Sequence, residues 1–163
     1  VSATDIPTVK KDSKLKLSTQ IELGYQGLTI NLNNSDRAKN PLGQDARVRQ
    51  AFELAIDRDA INQVVYNGEY LPGNQWVSPK NPYYQADLGI PKRDVEKAKK
   101  LMAEAGVKTP LTVTLMLPNN PDLRQVGEVI QQTLQDLPRL SNAIAAAYFA
   151  HSTISRTGRD NTQ

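Results

Sequence analysis

The segment DARVRQAFELAIDRDAINQVVYNG, residues 45–68, places Val48, Phe52, Ala55, Ile56, Ala60, Val64 and Val65 at helical spacing. A stripe that wide cannot stay in water, so it demands a second layer of structure to cover it. The pattern predicts one helix, closed by Gly68 as its C-terminal stop. Arg47, Glu53, Asp57 and Arg58 are expected to emerge at its flanks. Asp57 and Asp59 stand two apart and do not share a helical face, which argues against a carboxylate pair working as acid and base. Surface ion pairing with Arg58 or Arg47 is the expected task of the two aspartates.

The covering layers are written in two other periods. Leu28, Ile30 and Leu32 alternate with Thr29 and Asn31, so residues 25–34 read as a strand with one face on the core. Leu111, Val113, Leu115 and Leu117 alternate in the same way with Thr112, Thr114 and Met116. A weaker alternation at Leu15 and Leu17 reads as a short strand after an N-terminal loop. Two more helices follow from their caps and stripes. Asp94 opens one that carries Val95, Ala98, Leu101, Met102 and Ala105 and stops at Gly106. Asn119 or Asn120, with Pro121 in the first turn, opens another that carries Leu123, Val126, Ile130 and Leu134. Strands and helices in this order predict an α/β fold.

Between these elements lie two segments of another kind. Residues 33–46 are dense in turn formers and read as a surface loop. Residues 69–91 hold four prolines, three tyrosines and Trp76, the chain's only tryptophan, with little periodicity. Irregular segments of that length in compact domains usually serve a function, so a binding surface is expected there. Beyond Pro138 an Ala-rich run suits a helix, and the last residues follow no pattern.

Composition narrows the chemistry. A chain of 163 residues has room for one domain with a core, and 20 basic against 17 acidic residues leave a net charge of +3. The two signs are interleaved, and the most basic stretch, RAKNPLGQDARVR, is diluted by Asp36 and Asp45, so nucleic acid is not an expected partner. With no cysteine and a single histidine, His151, the chain has no disulfide, no thiolate zinc site and no multi-imidazole metal site. NGEYLPGNQ lacks the lysine and the strand-turn-helix setting of a phosphate cradle. No catalytic residue, metal or cofactor is expected. The remaining candidates are groups that grip. Arg124, in the first turn of its helix, is placed to take a carboxylate in a bidentate fork, and Trp76 with Tyr83 and Tyr84 suits an apolar pocket wall.

Taken in order, YQGLTINLNN, VRQAFELAIDRDAINQVVYNGEYLPG, SPKNPYY, DVEKAKKLMAEAG and RQVGEVIQQTL resemble the family 5 extracytoplasmic solute-binding proteins. These are the peptide, oligopeptide and nickel receptors of bacterial ABC importers. The likeness spans residues 24–132 and corresponds to the early part of the second of two lobes. It implies a mixed sheet with helices packed on its faces, part of a lobe of the type II periplasmic-binding-protein fold. It implies residues 1–135 as a lobe fragment and 136–163 as a tail of a different character. It also implies a periplasmic or extracytoplasmic location, a peptide or other small solute as ligand, a membrane permease as partner, and a first lobe of the same receptor.

By the same resemblance Arg124 matches an arginine that holds the ligand carboxylate in the dipeptide-binding branch. Trp76 and Asn119 face the same cleft, and Asn31, ending the first strand, lies on the hinge side. The helix at residues 45–68 is then scaffold. Two rivals come from other classes. A non-catalytic interaction domain would dock a protein through the Pro and Tyr loop, and a small hydrolase would depend on Asp57.

Overall fold

The wide apolar stripe is carried by two helices. The structure, a computed structural model, describes residues 1, 3, 5–108, 111–137 and 148–149. In chain order its elements are α1 (Ile6–Lys11), a 3-10 turn (Asp36–Ala38), α2 (Pro41–Gln44), α3 (Ala46–Ala55), α4 (Arg58–Tyr66), α5 (Val95–Glu104), β1 (Met116–Leu117), α6 (Pro121–Leu134) and β2 (Tyr148–Phe149).

Between α3 and α4 the backbone leaves the helical region at Ile56 (φ −73°, ψ 129°) and Asp57 (φ −95°, ψ 97°). The Asp57 carboxylate then accepts the N–H of Ala60 at 2.9 Å, which starts α4 as an N-cap. This corrects the single-helix expectation and the role given to Asp57. Arg58 instead reaches Glu53 at 3.2 Å and the Gly73 carbonyl at 3.1 Å. Arg47 pairs with Asp45 at 2.6 Å and also donates to the Glu104 carbonyl.

The break lets the halves of the stripe face different partners, α3 packing on α5 and α4 on α6. It also resets the helical phase, so Val64, expected inside, is 55% exposed while Val65 and Tyr66 are buried. α4 ends as the sequence suggests, with Asn67 and Gly68 both at positive φ.

The α3–α5 contact is built on small residues. Ala51, Ala55 and Ala98 have no exposed surface, and Val48 and Met102 fill the space beside them. Short side chains let the axes approach, and each buried methylene removed from water contributes about 0.8 kcal/mol. The same core takes in Ile130, Leu134 and Leu137. Arg93 fastens its edge by donating to the Ala55 and Thr133 carbonyls and to Asp136. The Asp94 N–H donates to the Leu54 carbonyl, which ties the start of α5 to the end of α3.

The extended segments differ more from expectation. Along residues 111–117 the odd positions point inward and the even ones outward, as the alternation predicts, although only Met116 and Leu117 enter a ladder. They pair in parallel with Tyr148 and Phe149. Residues 25–31 lie outside any helix and residues 32–34 bend; no described residue forms a ladder with them, and Leu28 and Leu32 stand 40% and 50% exposed. Only Ile30 of their apolar face packs on the core. The reason is that a strand buries a face only when neighbouring strands complete the surface beneath it. Near the N-terminus Ile6–Lys11 is helical where a loop is expected, and Leu15, read as part of a strand, is 55% exposed outside any ladder. The loop at residues 33–46 contains the 3-10 turn and α2, whose cap Asn40 accepts the Gly43 N–H at 3.1 Å. The Ala-rich run beyond Pro138, apart from Tyr148 and Phe149, and His151 lie outside the described residues.

Candidate functional site

The best-built candidate site lies where β1 runs into α6. The turn Pro118-Asn119-Asn120-Pro121 reverses the chain with two asparagines in different employment. Asn120 accepts the N–H groups of Asp122 (2.9 Å) and Leu123 (3.2 Å), satisfying donors that the helix leaves unpaired. Its own N–H donates to the Pro118 carbonyl at 2.8 Å, while its carbonyl accepts from Arg124 N at 3.0 Å. Pro121 sits in the first turn, where its missing N–H costs nothing. One turn on, Gly127 allows close approach to β1: a Cβ there would lie 2.4 Å from Leu117 Cδ1. Strand end and helix start are thus held in one fixed relation.

From this frame the exposed Arg124 side chain reaches back to the turn, and its Nη2 donates to Asn119 Oδ1 at 3.2 Å. Two of the four candidate residues are therefore in contact. The guanidinium sits at the N-terminal end of a 14-residue helix, whose aligned peptide dipoles favour an anion nearby.

The other two candidates are employed differently. Asn31 closes its own turn, donating to the Asn34 carbonyl and accepting the Asn34 N–H, both at 2.8 Å. Trp76 is 72% exposed on the loop at residues 69–91. That loop is tied together by polar bonds: Gln75 donates to the Gln85 carbonyl at 2.8 Å and accepts its N–H at 3.0 Å, and Asn74 donates to the Gly89 carbonyl at 3.0 Å. Asn62 clasps Tyr70 in the same way. Trp76 stands out into solvent, whereas Val77 beside it is buried, at 9% exposed.

Sequence reasoning missed the aromatic neighbours of α6. Tyr66 stacks on Tyr70 with centroids 4.1 Å apart and donates its hydroxyl to Gln26 at 2.6 Å. Burial pushes the Tyr66 phenol up from its ordinary value, with Tyr70 and the Asp122 carboxylate at the start of α6 adding to the effect. The signal available was the spacing of Tyr66 and Tyr70 by four, which was hidden because the chain leaves the helix between them.

A separate open cleft of about 670 Å³ lies between α2, the start of α3 and the end of α5, lined by Asn40, Gln44, Asp45, Val48, Gly106 and Lys108 among others. None of the four candidates lines it. At its edge the Arg47 side chain, donating to the Asp45 carboxylate, holds that group at about 2, helped by the Arg47 backbone N–H. Among the described residues no group of histidine and carboxylate side chains is arranged to hold a metal ion, and no helix is long and apolar enough to cross a membrane.

Comparison with known proteins bears on the family and the fold. The family described as bacterial extracellular solute-binding proteins, family 5 middle, matches residues 1–138. The dipeptide-binding protein of Escherichia coli K12 is 32% identical over 132 residues, covering 78% of this chain and 24% of that protein. The oligopeptide-binding protein AppA of Bacillus subtilis is 37% identical over 114 residues, 66% of this chain and 19% of the relative. The chain therefore spans a quarter or less of the length of these relatives. Among solved structures, B. subtilis AppA in complex with a nonapeptide superposes with a TM-score of 0.68 at 26% identity, covering 92% of this chain and 31% of that one. DppA of Helicobacter pylori in complex with the peptide STSA superposes with a TM-score of 0.73, covering 91% and 27%, and at 20% identity shows the shared α/β fold.

Proposed function

Because this chain belongs to the bacterial extracellular solute-binding proteins of family 5, we propose that it forms part of a peptide receptor serving an ABC importer, with Arg124 gripping the ligand's free carboxylate. The observation that carries this reading is the placement of Arg124: an exposed guanidinium on the first turn of α6, held by the turn that follows β1. A planar fork of N–H donors beside a helix N-terminus matches a carboxylate in both shape and charge. The peptide-binding relatives supply the class of ligand.

In this reading residues 1–135 are a segment of one lobe, working outside the cytoplasm. Residues 25–34 and 111–117 contribute strands to a larger mixed sheet, with helices on its faces. A second lobe closes over the ligand, and the closed shape is what a membrane permease reads, so no bond of the cargo is made or broken. Asn31 and Trp76 belong to the same wall, Asn31 toward the hinge. Specificity then comes from shape and charge.

Titration calorimetry of the complete receptor tests the grip: Arg124→Ala is expected to abolish most of the affinity for a peptide with a free C-terminus, and unchanged affinity removes the assignment. This chain by itself presents only part of the contact surface. It is expected to bind peptides weakly or not at all, and sub-micromolar binding by it would overturn the shared-wall view.

A further inference from the structure

We infer that Asn119 is the positioning residue of this site: it holds the Arg124 guanidinium ready through its side-chain oxygen and so tunes how strongly a ligand carboxylate is preferred. The inference rests on the carboxylate reading of Arg124 above and adds a role for its neighbour. Arg124 Nη2 donates to Asn119 Oδ1 at 3.2 Å across a turn that is itself rigid. Rigidity comes from Asn120, whose side chain caps α6 and whose main chain bonds to both Pro118 and Arg124, and from prolines on either side of the asparagine pair.

The chemistry of the amide matters. An exposed arginine loses considerable rotamer freedom when it grips a ligand, and a neighbour that already restrains it lowers that cost. Asn119 supplies the restraint from a neutral acceptor, which leaves the positive charge of the guanidinium uncompensated by that neighbour. A carboxylate at position 119 would hold the same nitrogen more strongly, yet it would be a competing anion at the place where the ligand's carboxylate must sit. Restraint without neutralisation is the property an asparagine offers and an aspartate does not.

The test is calorimetry of the complete receptor with trialanine and with trialanine amide, reading the ratio of the two affinities for wild type, Asn119→Ala, Asn119→Asp and Arg124→Ala. Wild type is expected to prefer the acid, and Arg124→Ala to bring the ratio close to one. Asn119→Ala is expected to lower it by about 3-fold to 10-fold, the range of one net hydrogen bond, and Asn119→Asp to lower it further. Thermal melting of each variant is followed in parallel, because a purely structural asparagine would shift the melting point and leave the ratio alone. If either Asn119 variant keeps the wild-type ratio while Arg124→Ala loses it, or if Asn119→Asp falls no further than Asn119→Ala, the positioning role is overturned and the carboxylate reading stands. If Arg124→Ala keeps the ratio, or wild type shows no preference for the acid, the carboxylate reading itself falls.

Discussion

The α3–α5 contact and the loop at residues 69–91 lie side by side in the chain and are held by opposite means. In the first, Val48, Ala51, Ala55, Ala98 and Met102 are fully buried, and the energy is apolar area removed from water. In the second, Trp76 and Tyr83 stand 72% and 77% exposed, and order comes from amide side chains bonded to backbone groups. Burial tolerates no loss of volume, whereas a polar clasp exchanges bonds with water at small net cost. A scaffold and an adaptable surface follow from that difference, and Trp76 and Tyr83 fall on the adaptable side.

The contrast can be broken by measurement. The largest effect is expected from Met102→Ala, which empties a fully buried site between α3 and α5; about 2–5 kcal/mol of unfolding free energy should be lost, read from denaturant midpoints. Asp57→Ala sharpens the boundary between the regions, since it removes the cap of α4, and about 0.5–2 kcal/mol is expected. Gln75→Ala, which cuts the loop's reciprocal clasp, should cost about 1 kcal/mol or less, with proteolysis inside residues 69–91 becoming faster. A loss for Gln75→Ala equal to that for Met102→Ala would show that the loop belongs to the core.

The smallest expected effect is acid sensitivity at the start of α3. The Asp45 carboxyl is lowered from 3.8 to about 2, first by the Arg47 side-chain hydrogen bond. A folded value below the unfolded one means that this group stabilises the fold above about pH 4 and that its contribution disappears as pH falls through about 2. Asp45→Asn should therefore be less stable than the parent at neutral pH, with the difference shrinking below about pH 4 and vanishing below about pH 2, as followed by melting temperature across that window.

Much of the fold was legible because its signals are short-range. Asp94 and Asn120 cap their helices as their positions suggest, Gly106 stops α5 at φ 65°, and the alternation over residues 111–117 matches the side chains' burial. The division between α3 and α4 was hidden because the apolar stripe runs on through it. Its marker, Asp57 placed three residues before Ala60, was present and was read as a surface charge. At the candidate site the sequence places Arg124 on the first turn of α6, while its bond to Asn119 depends on how the turn is folded. The Tyr66–Gln26 contact joins residues 40 apart, and no local pattern announces it.

By itself the sequence determined where α5 and α6 start, which faces they bury, and the order of elements that marks the family. Bonds three or four residues apart encode those features, so a window of the chain carries them. Only the tertiary structure decided that α3 leans on α5 while α4 leans on α6, that Arg93 joins three carbonyl and carboxylate partners, and that Leu28 and Leu32 remain in water. Those outcomes depend on which distant surfaces meet, and an apolar residue is inside only when something arrives to cover it.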